Sequence, residues 1–336
     1  MLIPQKPITP KKPKAAEPVA LDFDHTAHIV DFSAEVTQQV IYSIQGNTIL
    51  TAGSLLVLTG KPKARKSTFL HTFLGVAIQS TSLWQISASL PTEKKKVILI
   101  DTEQSIYDLH SSIKRMAYNF SINLNDTSKF QVYSTRTLAL FNLMQLIEAV
   151  LENNKDTGVL AIDGLIDLCN DINDVKEAKA AITFIKQIAD KYQIGIIGVL
   201  HQNKGTNFSL GHLGSFASRF AQSELSVVKN DDNTSTLESV FLRSAESIQP
   251  ITIAWDSVNN RYDSLQTLQA FQPKAITTET IAASIFAGDT YLSYAELVTR
   301  CIKFTQTTQY SVTKKFIPEL YNLGIIQKQG NFIILR

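Results

Sequence analysis

Ser54-Leu55-Leu56-Val57-Leu58-Thr59 runs into Gly60-Lys61-Pro62-Lys63-Ala64-Arg65-Lys66-Ser67, and this stretch decides the fold. The mostly apolar run predicts a buried strand, and a helical stretch, Lys66–Gln79, follows the loop at once. Glycine, four residues, a variable position, lysine and a hydroxyl make the spacing of a phosphate-cradling loop. Backbone N–H groups from Gly60 to Thr68, with the positive end of the helix, would surround phosphate oxygens. Lys66 would set its ammonium on the β- and γ-oxygens, and the Ser67 hydroxyl would be one ligand of Mg²⁺. Arg65 stands where that pattern usually has glycine, so its side chain must swing outward or onto the nucleotide.

Outward from the loop, short apolar runs alternate with amphipathic ones. Val97–Asp101, Phe130–Ser134, Gly158–Asp163 and Gly195–His201 read as buried parallel strands. Ile106–Phe120, Thr137–Asn153 and Val175–Tyr192 read as the helices between them. The alternation predicts an α/β fold with a doubly wound, mostly parallel sheet whose ligand crevice lies at the carboxyl ends of the strands. After His201 the texture changes: Ser223–Lys229, Ser235–Arg243 and Ile251–Asp256 predict an antiparallel extension of that sheet.

The strand ends supply the chemistry. Asp163 closes Val159-Leu160-Ala161-Ile162 and could hold the magnesium through water. Glu103, in Asp101-Thr102-Glu103-Gln104, could polarise the attacking water, with Asp101 a structural or metal-shell group. The same residues could instead begin a helix, with Asp101 or Thr102 as its cap. His201 or Gln202 could sense the γ-phosphate and signal to residues 205–219, read as a mobile functional loop containing His212, Gly214, Ser215 and Arg219. Arg243, and Lys229 before it, close strands far from the loop. They could reach a neighbouring subunit's nucleotide as arginine fingers do in trans, or form ordinary surface salt bridges.

Composition sets the outer bounds. With 336 residues, 44% hydrophobic and 18% charged, the chain is an ordinary globular protein too long for one core. No stretch is apolar for long enough to cross a membrane, and the N-terminus lacks the apolar core of a signal peptide. Cys169 and Cys301 have no metal-type spacing and read as free buried thiols, which fits a reducing cytoplasm. The net charge of +2 divides into +3 over residues 1–19, −4 in the middle and +3 over residues 264–336. Residues 1–35, rich in proline and lysine at the start, read as a flexible arm, 36–263 as the core, 264–275 as a linker and 276–336 as a second domain. In that domain helices near Ser293–Phe304 and Thr308–Leu323 precede a hairpin, Ile325–Lys328 with Phe332–Leu335. Val312, Phe316, Leu320 and Leu323 make the expected buried stripe, leaving Ser311, Thr313, Lys314 and Lys315 outward. This is similar to a winged helix, which docks DNA or protein; Pro318 should kink its second helix.

Taken together, these residues resemble the RecA-like ATPase superfamily, near the single-core hexameric helicases of plasmid RepA and DnaB type. More narrowly, they resemble AAA-family (AAA_25-type) ATPases found on bacterial mobile elements, especially in Bacteroidetes. In those, a Gly-Lys-x-Lys-x-Arg-Lys-[Ser/Thr] loop, Asp-Thr-Glu-Gln, Ile-Asp-Gly and Leu-His-Gln-Asn-Lys-Gly occur in this order, as they do here at 60–67, 101–104, 162–164 and 200–205. The resemblance implies that Arg65 is a family variant, that ATP and Mg²⁺ bind, and that the chain assembles into a homo-oligomeric ring such as a hexamer. The expected function is ATP hydrolysis in a DNA transaction (replication, mobilisation or excision of an element), as a helicase-like motor. The alternatives are a nucleotide-gated DNA-binding regulator and a scaffold that docks a protein partner.

Overall fold

The computed structural model describes residues 26, 29–33, 35, 37–202, 211–265, 278–305 and 312–336, in two units, Met1–Thr37 and Gln38–Arg336. The expected arm at 1–35 lies almost wholly outside the described residues, as does the expected linker beyond residue 265.

The second unit is built on one large sheet. In chain order its elements are β1 (Val40–Ile44), β2 (Asn47–Thr51), β3 (Leu55–Gly60), α1 (Lys66–Gln79), β4 (Ser82–Leu83), β5 (Ile86–Ala88), β6 (Lys96–Asp101), α2 (Ile106–Phe120), β7 (Phe130–Ser134), α3 (Leu140–Asn153), β8 (Thr157–Asp163), α4 (Val175–Tyr192), β9 (Gly195–His201), α5 (Gly211–Phe220), β10 (Ser223–Lys229), β11 (Ser235–Leu242), β12 (Ile251–Asp256) and β13 (Arg261–Ser264). The sheet order is β13-β12-β11-β10-β3-β9-β8-β6-β7. From β10 to β7 every pairing is parallel, and β11, β12 and β13 extend the sheet antiparallel. This mixed, mostly parallel sheet fits the expected RecA-like core.

Handedness explains where the helices lie. Crossovers running toward the β7 edge, β3 to β6 and β6 to β7, carry α1 and α2 on one face. The returning crossovers, β7 to β8, β8 to β9 and β9 to β10, carry α3, α4 and α5 on the other. A single right-handed sense requires this division. Alternation within β3 feeds both cores: Leu56 and Leu58 join Phe69, Phe73 and Ile113, whereas Leu55 and Val57 join Ile147, Ile182 and Ile185. Direction reverses at β3, which stands between β10 and β9, so the ligand crevice is expected at its carboxyl end.

Three sequence expectations change. Of the loop expected at 205–219, residues 205–210 lie outside the described residues and the rest falls in the helix Gly211–Phe220, because Leu213 and Ala217, four apart, pack into the second core and the Leu213 N–H donates to the Ile172 carbonyl at 3.1 Å. A separate antiparallel sheet, β2-β1-β5-β4, went unread. Its two tight turns, Gln45-Gly46 and Trp84-Gln85, take positive φ at both positions, three of the four without glycine's signature. In the tail, Thr278–Ile281 and the π turn Ala282–Phe286 lead to β14 (Tyr291–Ser293), the helix Tyr294–Thr305, a π turn Val312–Phe316 and the helix Ile317–Asn322. The chain closes with β15 (Ile326–Gln329) and β16 (Phe332–Leu335), giving a sheet β14-β16-β15. Pro318 sits in the first turn of Ile317–Asn322, where its missing N–H costs nothing, and the π turn precedes it. That turn shifts the buried stripe to Val312, Phe316, Ile317 and Leu320, leaving Leu323 56% exposed.

Cys169 and Cys301 are buried thiols outside any disulfide, with burial pushing them up to about 11 and about 12. Among the described residues no helix is long and apolar enough to cross a membrane.

Candidate functional site

Register brings the expected residues to one edge. Gly60 pairs with His201, Val199 with Asp163, and Asp163 with Asp101, so the carboxyl ends of β3, β9, β8 and β6 lie side by side. At Gly60 (φ 153°) a Cβ would fall 2.5 Å from the Val227 carbonyl oxygen, so only glycine fits where the strand turns. Lys63 and Arg65 follow in the left-handed region, with φ of 64° and 74°. The chain thus curls through Lys61, Pro62 and Ala64 into α1, a concavity of the kind that gathers N–H groups around an anion. Lys61, Pro62, Lys63 and Ser67 are exposed, Thr68 is half-buried, and Ala64 and Lys66 are buried.

The Lys66 ammonium donates to the Gly60 carbonyl at 2.9 Å, to the Lys61 carbonyl at 3.2 Å and to His201 Nδ1 at 3.0 Å. An ammonium has no lone pair, so Nδ1 accepts, and the ring proton lies on Nε2. Nε2 then donates to Glu103, 3.1 Å from Oε1 and 3.3 Å from Oε2. Burial pulls the Lys66 pKa down, against the opposing pull of Asp163 and Glu103. The hydrogen bond from His201 holds the Glu103 carboxyl below its usual range, so Glu103 is a weakly basic carboxylate.

Asp163 is buried, and burial, then Glu103 and Asp101, raise its carboxyl to about 7. Three carboxylates against one lysine make a crowded anionic corner. The hard oxygens of Ser67 and Asp163 are donors that suit magnesium, so the residues present fit the ion. Asp101 is structural, as one reading had it: its Oδ1 accepts from the Glu103 and Gln104 N–H groups, and its Oδ2 from the Gln104 amide. The helix cap is Ser105, whose hydroxyl accepts from the Asp108 N–H, so Glu103 precedes the helix and the capping alternative for Asp101 or Thr102 falls. A Cβ on Gly164 would lie 2.7 Å from Glu103 Oε1, so any side chain there would displace the Glu103 carboxylate. Thr102 completes the corner, donating to Asp167 and accepting from the Gly164 N–H.

Gln202 is placed away from the crevice, and Arg243 and Arg65 find partners within the chain, Arg65 in the outward orientation of the two expected. The Gln202 side chain is buried and donates to Thr59 Oγ1 at 3.3 Å and Ser226 Oγ at 3.1 Å, so it braces β3 against β10 instead of facing the crevice. The polar partners on those strands out-compete solvent for its amide. Arg243 follows Leu242, which pairs with Ser223 at the amino end of the parallel strands, opposite Gly60. Its guanidinium donates to the Arg219 and Ala221 carbonyls, closing the C-terminal end of α5. The Arg65 guanidinium is turned away onto Asn233, Thr234, Ser235 and Tyr262, which leaves its backbone as the part that faces a phosphate. No residue pattern local to Arg65 marks those four partners. Lys229 is exposed beyond Val227, the partner of Gly60. Beside Ser67 and Thr68 a groove of about 1250 Å³ opens between α1, α2 and the β12–β13 turn, with Arg115, Tyr118 and Asn260 on its walls.

Comparison with curated proteins finds no match. Among solved structures, a KaiC-like protein from the hyperthermophilic archaeon Pyrococcus horikoshii OT3 aligns with 64% of this chain and 93% of its own, at 14% identity and a TM-score of 0.48. A family model described as AAA domain matches residues 21–207, more than half of the chain and a span that includes all four motifs. The chain belongs to the AAA-domain family.

Proposed function

We propose that this chain binds ATP with Mg²⁺ at Gly60–Thr68 and hydrolyses it in a DNA transaction, as a ring-forming motor. The observation that carries the reading is the chain of contacts from Lys66 through His201 to Glu103. A phosphate entering the loop competes with Nδ1 for the ammonium, and His201 then loses one of the two bonds that fix its ring. The Glu103 carboxylate, released from the imidazole, can orient water toward the γ-phosphorus and take up its proton, giving ADP and inorganic phosphate. His201, rather than Gln202, is the residue placed to sense that phosphate. Ser67 and Asp163 would hold magnesium, whose positive charge would draw electron density from the phosphate oxygens. The groove beside Ser67 has room for the nucleoside.

The same reading keeps 36–263 as the ATPase core and 276–336 as a winged helix, with 1–35 as an arm and 264–275 as a linker. The order strand, helix, helix, hairpin in the tail and its β14-β16-β15 sheet support the winged reading. The basic balance of 264–336 and the exposed Lys314 support DNA as its ligand; Thr313 is half-buried, and Ser311 lies outside the described residues. The order of the four motifs supports a mobile-element setting and a homo-oligomer. Arg243, at the far end of the sheet, remains a candidate finger only for a neighbouring subunit.

Two observations favour other readings. Both Glu103 oxygens lie against His201, which suits a nucleotide-gated DNA-binding regulator that turns over slowly. The exposed ring pair Tyr291 and Phe332, centroids 5.0 Å apart, suits protein docking by the tail. Glu103→Gln decides the first. For a motor, the variant keeps ATP binding and loses turnover by a factor on the order of 10² or more, the usual contribution of a general base. Wild-type turnover no faster than that of Glu103→Gln points to the regulator.

A further inference from the structure

Arg65 caps α1 in a backbone conformation that favours glycine (φ 74°, ψ 32°), yet it is an arginine with every side-chain nitrogen engaged. Nε donates to Tyr262 Oη at 2.8 Å, Nη1 to Ser235 Oγ at 2.8 Å and the Thr234 carbonyl at 3.2 Å, and Nη2 to Asn233 Oδ1 at 2.7 Å. The guanidinium carbon lies 4.9 Å from the centroid of the Tyr262 ring, and Trp255 meets that ring edge-on at 5.1 Å. Asn233 and Thr234 belong to the β10–β11 turn, Ser235 opens β11, and Tyr262 lies on β13. One planar fork therefore ties the phosphate loop to three segments some 170 to 200 residues away.

We propose that Arg65 is a positioning residue for the nucleotide. Through Asn233, Ser235 and Tyr262 it holds the loop's backbone N–H groups in their phosphate-binding shape, and it passes phosphate occupancy to Trp255. It touches no part of the nucleotide with its side chain. The inference rests on the reading of Gly60–Thr68 as a nucleotide site. It differs from a purely conformational role, in which any residue tolerant of positive φ would serve, because glycine would then do better than arginine. Two features make the tie more than a surface contact. The Tyr262 hydroxyl and the Ser235 hydroxyl are both held in place by strands, so their partner is fixed too. Trp255, half-exposed and edge-on to Tyr262, shares the ring that the guanidinium covers.

The test uses the full chain with ATP and magnesium, measuring steady-state turnover and intrinsic tryptophan fluorescence during titration; Trp255→Phe assigns the signal. Arg65→Gly and Arg65→Lys are expected to raise KM for ATP about tenfold with kcat within about twofold, the pattern of lost uniform binding. Tyr262→Phe, which keeps the ring and removes one acceptor, is expected to raise KM about threefold, on the scale of the net worth of one ordinary hydrogen bond. Arg65→Gly should abolish the Trp255 response even at saturating ATP, which a merely structural role would not do. Adding Tyr262→Phe to Arg65→Gly should raise KM no further. Arg65→Gly with wild-type KM and an intact fluorescence response overturns the inference, as does a Tyr262→Phe effect that adds in full. Wild-type protein that binds no ATP overturns the nucleotide site itself, a separate result.

Discussion

Asp163→Asn should stabilise the nucleotide-free protein at alkaline pH while destroying its turnover. Asp163 is buried beside Glu103 and Asp101, and its carboxyl, which ordinarily ionises near 3.8, keeps its proton to about 7. Between those two values the folded state binds the proton and the unfolded state has released it. Stability therefore falls as pH rises through that window. At about 1.4 kcal/mol for each pH unit, the ceiling on the cost of ionised Asp163 at pH 8 is about 4 kcal/mol. Asparagine removes that cost but also the attraction to Lys66, so a net gain of roughly 1–3 kcal/mol is expected at pH 8. At pH 5 the folded wild type is already protonated there, and the gain should shrink accordingly. Glu103 does not blur the comparison: its depressed pKa supplies stability that is lost only on acidification below the window. Urea unfolding of both proteins at pH 5 and pH 8 reads the gap. A gap that does not widen toward pH 8, or an asparagine variant less stable there, refutes the reasoning. Magnesium with ADP should stabilise wild type more than the variant, since it supplies the missing positive charge.

Two further outcomes follow from the site and the tail. His201→Ala removes the bridge between Lys66 and Glu103, so ATP should still bind while turnover falls tenfold or more, about 1.4 kcal/mol or above in transition-state terms; turnover within twofold of wild type in a phosphate-release assay would exclude the relay. Lys314→Glu with Lys315→Glu should weaken DNA binding strongly and flatten its salt dependence, roughly one phosphate contact per lysine. Unchanged affinity in a filter or anisotropy assay would shift the tail toward protein docking.

The core was legible because periodicity and burial agree there. β3, β6, β8 and β9 are apolar runs buried on both faces, so a one-dimensional pattern carries the full signal. Glu103 and Asp163 were legible for a related reason: Asp163 ends such a run, and Glu103 stands two residues beyond Asp101, which ends another. Long-range side-chain traffic was not. Nothing local to Arg65 points to Tyr262, and nothing local to Gln202 points inward to Ser226, since each choice is made by strands that meet only in the folded sheet. Residues 211–220 misled because glycine and serine read as loop, whereas Leu213 and Ala217 bury enough surface to hold a helix.

The central claim is that Gly60–Thr68 holds the phosphates of ATP through Lys66. It is tested most directly by phosphate release from ATP and magnesium, comparing the full-length chain with Lys66→Ala. The account predicts measurable turnover in wild type and a loss on the order of 10² or more in the variant, as expected when a charge stabilising the transferring phosphoryl group is removed. Equal turnover in the two proteins would contradict it.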